Sequence, residues 1–285
     1  MLNSIQRVAA AVRKSLQRLF LFPLFLLKVR NWPRVLAARL GIGEIEAIEF
    51  RDGSRSCLLD LRAGLAVLRD VYLERVYDSK FYLDPKGTVL DLGANIGMFS
   101  ILAAKRLVPR GHVVAVEANP YTAAVLRRNV IENGFSNVEV IEAAAAPMDG
   151  KAELHLAPHS LGATVLGGER RGESVMVTAI GVGALVESLG PIELLKMDIE
   201  GSEWSIVFDS SPEMWVRIKR IAMEFHLDAA GPRSVADLVT YLSHVGYVNI
   251  RVHHPPGLYG YLWAEFSPHP PVVLSHGPCS PEAIV

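Results

Sequence analysis

The sequence predicts an α/β protein built on a mostly parallel sheet with helices on both faces. Between residues 88 and 247, short runs of branched apolar residues alternate with segments of helical periodicity, as in a doubly wound sheet. The stretch "DLGANIG" places an acid and two glycines where the first of these strands becomes a helix. Two final extended runs, joined by "PPGLYG", predict that the last strand turns back antiparallel.

The composition limits the classes of function. The chain has 285 residues, of which 50% are hydrophobic and 21% are charged, so it can form a full-sized core. Its formal net charge of −1 predicts no general attraction to nucleic acid. Cys57 and Cys279 make no metal-binding pattern and are too few for a disulfide framework, so we expect a cytoplasmic protein.

Four segments are predicted along the chain. Residues 1–43 form a basic and apolar helical extension, residues 44–86 a small β cap with a lead-in, residues 87–266 the main domain, and residues 267–285 a Pro-rich tail. The extension has eight Lys or Arg residues and no acid, around the run "LFLFPLFLL". That run is too short to span a bilayer, which takes about 20 residues. Two interpretations stay open: the extension packs on the domain or on another subunit of a homo-oligomer, or it lies on the inner face of an anionic membrane.

The elements are predicted in order along the chain. Residues 44–69 alternate and are broken by "DG", which predicts a small antiparallel cap; a short helix or loop over residues 70–86 follows. The strands of the main sheet are predicted at residues 88–93, 112–118, 137–145, 192–199 and 218–226. The helices "MFSILAAKRL" and "YTAAVLRRNVIENG" separate the first three strands, and the second helix ends at Gly134. A hairpin of "KAELHLA" and "SVMVTAI" is inserted before the fourth strand, and "VNIRVHH" and "GYLWAEF" end the sheet.

The acid–glycine turn lies beyond the carboxyl end of a strand, where open parallel sheets bind ligands. Gly93 and Gly97 permit a sharp turn and a close approach of the backbone to a ligand, and Asn95 tolerates left-handed backbone angles. Glu117, at the end of the second strand, is placed to hold both hydroxyls of a ribose. The spacing is not G-x-G-x-x-G, and Asp91 before the turn disfavours a dinucleotide pyrophosphate. It favours a ligand with an ammonium group, such as S-adenosylmethionine.

Four motifs, in the order "DLGANIGMFS", "VEANP", "KMDIEGSEW" and "MEFH", resemble the FkbM-type S-adenosylmethionine-dependent methyltransferases. The resemblance implies a Rossmann-like class I fold, with a seven-stranded, mostly parallel sheet and an antiparallel last strand. It also implies O-methylation, often of sugars or natural-product hydroxyls. By position, it implies cofactor contacts from Asp91, Gly93, Ala94, Asn95 and Gly97 at the methionine end, Glu117 and Asn119 at the ribose, and Glu142 and Ala143 at the adenine.

A second group of ionisable residues lies at the ends of the fourth and fifth strands. Lys196, Asp198 and Glu200 alternate in one motif, and Glu224 and His226 alternate in the other, so each set is predicted to share one face of its strand. These five are the predicted catalytic residues. Alternatively, Lys196 only pairs with an acid, and Glu203 only caps the following helix.

Methyl transfer to a hydroxyl needs alignment of the reactants and loss of the hydroxyl proton. Two hypotheses stay open for the proton. One carboxylate is the general base, or Asp198, Glu224 and His226 hold a divalent cation such as Mg²⁺ that lowers the pKa of the hydroxyl.

The sequence thus predicts an S-adenosylmethionine-dependent O-methyltransferase of a small hydroxylated acceptor, such as a sugar or a glycosylated natural product. Two alternatives stay open: N- or C-methylation on the same fold, and a non-catalytic cofactor-binding domain in a membrane-associated assembly. Tyr259, Tyr261 and Trp263 either line the acceptor pocket or only pack within their hairpin.

Overall fold

The computed structural model describes residues 20–156, 174–254 and 257–268. Most of the predicted Pro-rich tail and the first part of the predicted N-terminal extension lie outside the described residues. Within these three ranges, no helix is both long enough and apolar enough to pass through a bilayer. The division of the chain into four segments stays a prediction.

Strands and helices alternate along most of the chain. The strands are Ala47–Glu49 (β1), Arg55–Cys57 (β2), Thr88–Leu92 (β3), His112–Glu117 (β4), Val138–Glu142 (β5), Ala144–Ala146 (β6), Gly150–His155 (β7), Ser174–Gly181 (β8), Leu194–Met197 (β9), Arg220–His226 (β10), Tyr247–His253 (β11) and Tyr259–Phe266 (β12). The helices are Trp32–Arg39 (α1), Leu61–Leu68 (α2), Met98–Leu107 (α3), Pro120–Glu132 (α4), Val182–Leu189 (α5), Glu203–Asp209 (α6), Pro212–Trp215 (α7) and Val235–His244 (α8). Residues 20–28 are also helical, and a π-helical turn spans Arg69–Leu73.

Seven strands form the central sheet, in the order β11-β12-β10-β9-β3-β4-β5. β12 runs antiparallel to its neighbours β10 and β11, whereas β3 pairs in parallel with β4 and with β9. The predicted fold class, a mostly parallel seven-stranded sheet with one antiparallel strand, is confirmed. Because the strand order departs in opposite directions from β3, the ends of β3, β4 and β9 form the switch point at which such sheets bind ligands.

Apolar side chains cover the sheet on both faces. Leu90 and Leu92 belong to one buried cluster, which also contains Trp204 from α6. Val89 belongs to a second cluster, which contains Phe99 from α3. Since successive side chains of a strand point to opposite faces, the two clusters are the two cores on either side of β3.

The predicted cap over residues 44–69 is correct only in its first half. β1 and β2 form the expected antiparallel hairpin around the "DG" turn. The prediction is wrong for Leu61–Leu68, which is helix α2, and the Asp60 carboxylate caps it by accepting a hydrogen bond from the backbone N–H of Ala63. Leu61, Leu65 and Leu68 repeat at helical spacing. The prediction extended the alternation of the residues before the "DG" turn to this segment and so missed the helical period.

The single strand predicted over residues 137–145 is two strands. β5 ends at Glu142 in the central sheet, and β6 leaves that sheet to pair with β8 in a second sheet of order β6-β8-β7. The predicted inserted hairpin is confirmed as β7 and β8, which pair antiparallel. The run of four alanines at residues 143–146 has no alternation that could indicate which sheet it joins.

The described part of the N-terminal extension packs on the domain. Phe25 and Val29 are buried, and Val29 forms an isolated antiparallel bridge with Phe50 beside the hairpin. Val35 in α1 is fully buried. The buried side of this segment therefore packs on the domain, as the first interpretation expects. Contact with a membrane, the second interpretation, would involve its exposed side.

Candidate active site

The loop after β3 is shaped by contacts with the rest of the protein. Gly93 has φ 73° and Asn95 has φ 53°, so the predicted left-handed turn is present at both positions. A Cβ on Gly93 would overlap the carbonyl oxygen of Asp198, and one on Gly97 would overlap the Leu126 side chain. The glycines are therefore also needed for protein packing, besides the sharp turn and the close approach to a ligand that the sequence predicts.

The Asp91 carboxylate, predicted at the methionine end of the cofactor, contacts two side chains of the protein, and its contact with a ligand stays a prediction. Asp91 is fully buried; its Oδ2 accepts a hydrogen bond of 2.6 Å from the Ser100 hydroxyl, and its Oδ1 lies 3.1 Å from Lys196 Nζ. Lys196 also donates to the carbonyl oxygen of Gly93 at 2.6 Å. Asp91 thus orients Lys196, and Lys196 stabilises the loop after β3 through the carbonyl oxygen of Gly93.

Lys196 is held as a buried cation. Burial by itself would lower its pKa, but the nearby carboxylates of Asp91 and Asp198 hold the pKa of Lys196 above its usual value. Its Nζ also lies 5.3 Å from the centre of the Tyr77 ring. This geometry corresponds to the structural alternative for Lys196, an ion pair with an acid, rather than to a proton-transferring group.

Glu117 stands at the end of β4 and binds the loop after β3. Its Oε2 accepts a hydrogen bond of 2.7 Å from the backbone N–H of Asn95. Its Oε1 accepts hydrogen bonds from the backbone N–H of Asn119 at 2.9 Å and from the Thr122 hydroxyl at 2.8 Å. Burial raises the pKa of Glu117, and these three donors oppose the shift. The carboxylate is fixed in position before any ligand is present.

A cleft opens beyond these strand ends, bordered by Gly93, Ala94, Asn95, Glu117 and Asn119. Ala143, Ala144 and Leu154 form an apolar wall on its β6 side. The Glu142 side chain does not border the cleft. It is 41% exposed and pairs with Arg127 at 2.6 Å. Of the two residues predicted at the adenine, the structure places only Ala143 on the cleft.

The second group of predicted residues meets at the other end of the cleft. β9 ends at Met197, and Glu200 has φ 54°, so the predicted strand alternation does not extend to Glu200. Asp198 and Glu200 nevertheless border the cleft together with Lys196. Glu224 and His226 come from the end of β10, and each is only partly buried.

His226 is held by three carboxylates. Its Nδ1 lies 3.2 Å from Glu203 Oε1, and its Nε2 lies 3.7 Å from Glu200 Oε2 and 3.8 Å from Glu224 Oε1. Burial by itself would lower its pKa, but the hydrogen bond and the charges raise the pKa of His226 to about 10. Glu203 also accepts from the backbone N–H of Ile199, so it orients His226 besides closing the turn before α6.

Glu224 and Asp198 share one hydrogen-bond donor that the sequence analysis missed. The Tyr77 hydroxyl donates to Asp198 Oδ2 at 2.8 Å and to Glu224 Oε2 at 3.3 Å. Burial and the neighbouring carboxylate of Asp198 raise the pKa of Glu224 to about 9. Burial and the same carboxylates also raise the pKa of Tyr77 well above its usual value, so Tyr77 stays a donor.

Asp70 is a further residue of the cleft that the sequence analysis did not select. It lies in the π-helical turn and borders the cleft together with Val71. Burial raises the pKa of Asp70 to about 6, although Arg69 beside it acts in the opposite direction.

Two of the aromatic residues that the sequence analysis considered for the acceptor pocket, Tyr261 and Trp263, stack on each other. The Trp263 indole donates to the carbonyl oxygen of Val76. Tyr261 and Trp263 therefore pack within the second core.

The side chains that border the cleft carry an excess of negative charge, which favours a positively charged ligand. Asp70, Glu117, Asp198 and Glu200 border it, and Lys196 is the one basic residue among the described residues of its wall. S-adenosylmethionine carries a sulfonium and an ammonium against a single carboxylate, so it matches this excess, whereas a pyrophosphate does not. Asp198, Glu224 and His226 also place one ligand atom each within 4.8 Å of one another, which is a set that could hold a divalent cation.

Comparison with known proteins identifies the family. The model of the "Methyltransferase FkbM domain" matches residues 91–248, which is more than half of the chain. The chain belongs to the FkbM methyltransferase family. This confirms the resemblance noted in the sequence, and the protein is an S-adenosylmethionine-dependent methyltransferase.

Two relatives and one solved structure are similar to this FkbM methyltransferase. Methyltransferase 1 of Beauveria bassiana is 24% identical over 66% of this chain and 82% of its own length. Methyltransferase sdnD of Sordaria araneosa is 24% identical over 55% of this chain and 73% of its own length. The crystal structure of a methyltransferase FkbM from Methylobacillus flagellatus is 16% identical with a TM-score of 0.45, and the match covers 66% of this chain and 45% of that chain.

Proposed function

We propose that this FkbM methyltransferase methylates a hydroxyl group of a small acceptor, such as a sugar, a glycosylated metabolite or another natural product. The observation that carries the proposal is the group of Asp198, Glu224 and His226 at the ends of β9 and β10, beside the cleft. A hydroxyl has to lose its proton as it is methylated, and a carboxylate of this group can take up that proton. Amine acceptors need no such base once they are unprotonated.

The donor is proposed to lie along the edge formed by β3, β4 and β6. S-adenosylmethionine supplies a methyl group on a positively charged sulfur. We assign Glu117 to the ribose hydroxyls, since its side chain is already oriented by Asn95 and Thr122 and its Oε2 accepts from one protein donor, which leaves a lone pair for the ribose. Ala143 and Leu154 offer an apolar surface to the adenine. Asp70 and Asp198 offer negative charge to the cationic end.

Asp198 is the proposed proton acceptor. It borders the cleft, and its Oδ2 is held by the Tyr77 hydroxyl at 2.8 Å, which leaves further lone pairs for the acceptor hydroxyl. Glu224 has a pKa of about 9 because of burial and Asp198, so it is protonated near neutral pH and cannot take up the proton there. Its neutral carboxyl group can donate a hydrogen bond to the acceptor instead.

A divalent cation is a second candidate for the same step. The arrangement of Asp198, Glu224 and His226 within 4.8 Å favours it. Both Glu224 and His226 would have to release a proton to bind a metal, so binding would strengthen as the pH rises. The two mechanisms are separated by turnover in excess chelator, which the base mechanism predicts to be unchanged. Loss of turnover that Mg²⁺ restores would select the metal mechanism.

The proposal is tested by transfer of a labelled methyl group from S-adenosylmethionine to a panel of glycosides, hydroxylated aromatics and amines. We expect a methyl ether on a hydroxylated acceptor, identified by mass spectrometry and NMR. A product methylated on nitrogen or carbon would contradict the proposal. Calorimetry with S-adenosylhomocysteine serves as the control for an acceptor missing from the panel, because the folded protein should bind it in either case.

A further inference from the structure

The helical residues 20–28 carry an apolar stripe on their outer side. Phe20, Leu24 and Leu27 are 75%, 38% and 67% exposed. They follow one another at helical spacing, so they share one face, while Phe25 between them is buried in the second core. A contiguous exposed apolar face of this kind marks an interaction surface more often than single exposed residues do.

A basic cleft adjoins this stripe. Leu27 itself lines the cleft, together with Lys28, Arg51, Arg75 and Arg106. The cleft is separate from the active site, because the π-helical turn lies between them. Asp70 and Val71 of that turn border the active-site cleft, whereas Tyr72 borders the basic cleft.

The protein neutralises the positive charge of the basic cleft only in part. Arg75 and Arg106 both pair with Asp78. Burial, together with the charge of Arg75, lowers the pKa of Arg106, as expected where cations are crowded. The remaining carboxylate of the cleft, Asp52, pairs with Lys105.

Lys28 and Arg51 add two further positive charges to the cleft. The guanidinium of Arg51 donates to the carbonyl oxygen of Leu26, and in the part of the chain that the structure describes no carboxylate pairs with it or with Lys28. The surrounding sequence provides no compensation, since residues 1–43 contain no acid. The whole chain has a net charge of only −1, so this excess is local.

We propose that Phe20, Leu24 and Leu27, together with Lys28 and Arg51, form a docking face for an anionic phospholipid bilayer. The apolar stripe enters the boundary between head groups and acyl chains, and the basic cleft takes the phosphate of a head group. Apolar Phe and Leu beside Lys and Arg are the composition of helices that lie in the membrane interface. A second copy of the chain would bring the same positive charges against one another, which disfavours a symmetric dimer through this face.

Flotation of the full-length protein with vesicles tests the proposal. One vesicle population contains phosphatidylglycerol and phosphatidylcholine, and the other contains phosphatidylcholine alone. We expect binding to the anionic vesicles, and we expect it to weaken as salt screens the charges. Absence of binding to the anionic vesicles, or equal binding to both populations, would overturn the proposal.

Two variants of the docking face separate its components. Each Lys or Arg near an anionic surface strengthens binding roughly fivefold, so Lys28→Glu with Arg51→Glu should weaken partition by at least about 30-fold. The matched control is Lys86→Glu with Arg110→Glu, both exposed residues outside the docking face. Equal losses in the two double variants would mean that only net charge matters, and the proposed face would be wrong.

The apolar stripe is tested with Phe20→Ser, Leu24→Ser and Leu27→Ser combined. The matched control changes Ile131, Met176 and Val216 to Ser, which are 77%, 67% and 56% exposed. We expect the stripe variant to lose vesicle binding at least tenfold more than the control does. Sedimentation without lipid is the companion measurement, and a dimer that only the stripe variant dissociates would assign the face to a second copy and overturn the proposal. Unchanged binding of S-adenosylhomocysteine verifies that each variant is folded.

Discussion

The two ends of the active-site cleft hold their carboxylates in different ways. At the end formed by β3 and β4, Glu117 borders the cleft and Asp91 binds Lys196 of its wall. Both acids are buried, and each is held by several donors from the protein. At the end formed by β9 and β10, Asp198 and Glu224 share the single hydroxyl of Tyr77. Burial, and next the negative charge of Asp198, raise the pKa of Glu224 to about 9.

This difference indicates a division of labour. A carboxylate whose partners are fixed in the folded protein needs no reorganisation to bind a ligand, which suits recognition of the donor. Carboxylates that compete for one donor and for one imidazole change protonation readily, which suits transfer of a proton or binding of a cation. We therefore expect substitutions at the first end to affect binding and stability, and substitutions at the second end to affect turnover.

Asp198→Asn should give the largest effect on turnover. The amide cannot take up the hydroxyl proton, so we expect kcat to fall by about 10²- to 10⁴-fold. Affinity for S-adenosylhomocysteine, which lacks the sulfonium charge, should stay within about fivefold of the wild type. Steady-state kinetics and calorimetry measure the two quantities. Asp209→Asn, with a side chain 54% exposed, is the control, and a similar fall in kcat there would remove Asp198 from the mechanism.

Lys196→Met should give the largest effect on stability. It leaves the fully buried Asp91 carboxylate without its cation, and breaking a buried pair costs about 3–5 kcal/mol. Urea unfolding near neutral pH measures the loss of stability.

The control for this substitution is Lys105→Met, because Lys105 and its partner Asp52 are 37% and 41% exposed. A pair this exposed contributes at most about 1 kcal/mol. The double variant Asp91→Asn with Lys196→Met should recover most of the lost stability. If it does not, the ion pair is not what stabilises the loop after β3.

The first end of the cleft was more accessible to sequence analysis than the second. The "DLGANIG" turn and Glu117 lie at fixed distances along the chain from the strands that carry them, so local pattern places them. The direction of the Asp91 side chain was not accessible, because it depends on Lys196 from another strand. Tyr77 lies in an irregular segment and meets Asp198 across 121 residues of sequence. No local period indicates such a contact.

Glu117→Gln tests the binding end directly. The amide retains one acceptor oxygen but loses the charge that a pair of ribose hydroxyls would meet. Hydrogen bonds to a charged group contribute about 1.5–3 kcal/mol, so affinity for S-adenosylhomocysteine should fall by roughly 10- to 150-fold. Glu142→Gln is the matched control, since Glu142 ends the neighbouring strand and pairs with Arg127 outside the cleft. Equal losses in both variants would place the Glu142 side chain at the ligand, as the family resemblance implied.

Tyr77→Phe should give the smallest effect on rate and the most specific one. The Tyr77 hydroxyl donates to Asp198 Oδ2 and holds this proposed base in place. Its removal should leave the carboxylate less well aligned with the acceptor hydroxyl. Near pH 7, kcat should fall by about fivefold with little change in KM.

Tyr247→Phe is the control for the loss of a buried hydroxyl. Tyr247 is also buried, and its hydroxyl donates to the carbonyl oxygens of Trp215 and Ile218, away from the cleft. Both variants should lose a comparable amount of stability, about 1–2 kcal/mol, because each leaves acceptors without their donor. Only Tyr77→Phe should lower kcat. If kcat is unchanged in both variants, Tyr77 supports the structure alone and the proton acceptor is a group that it does not touch.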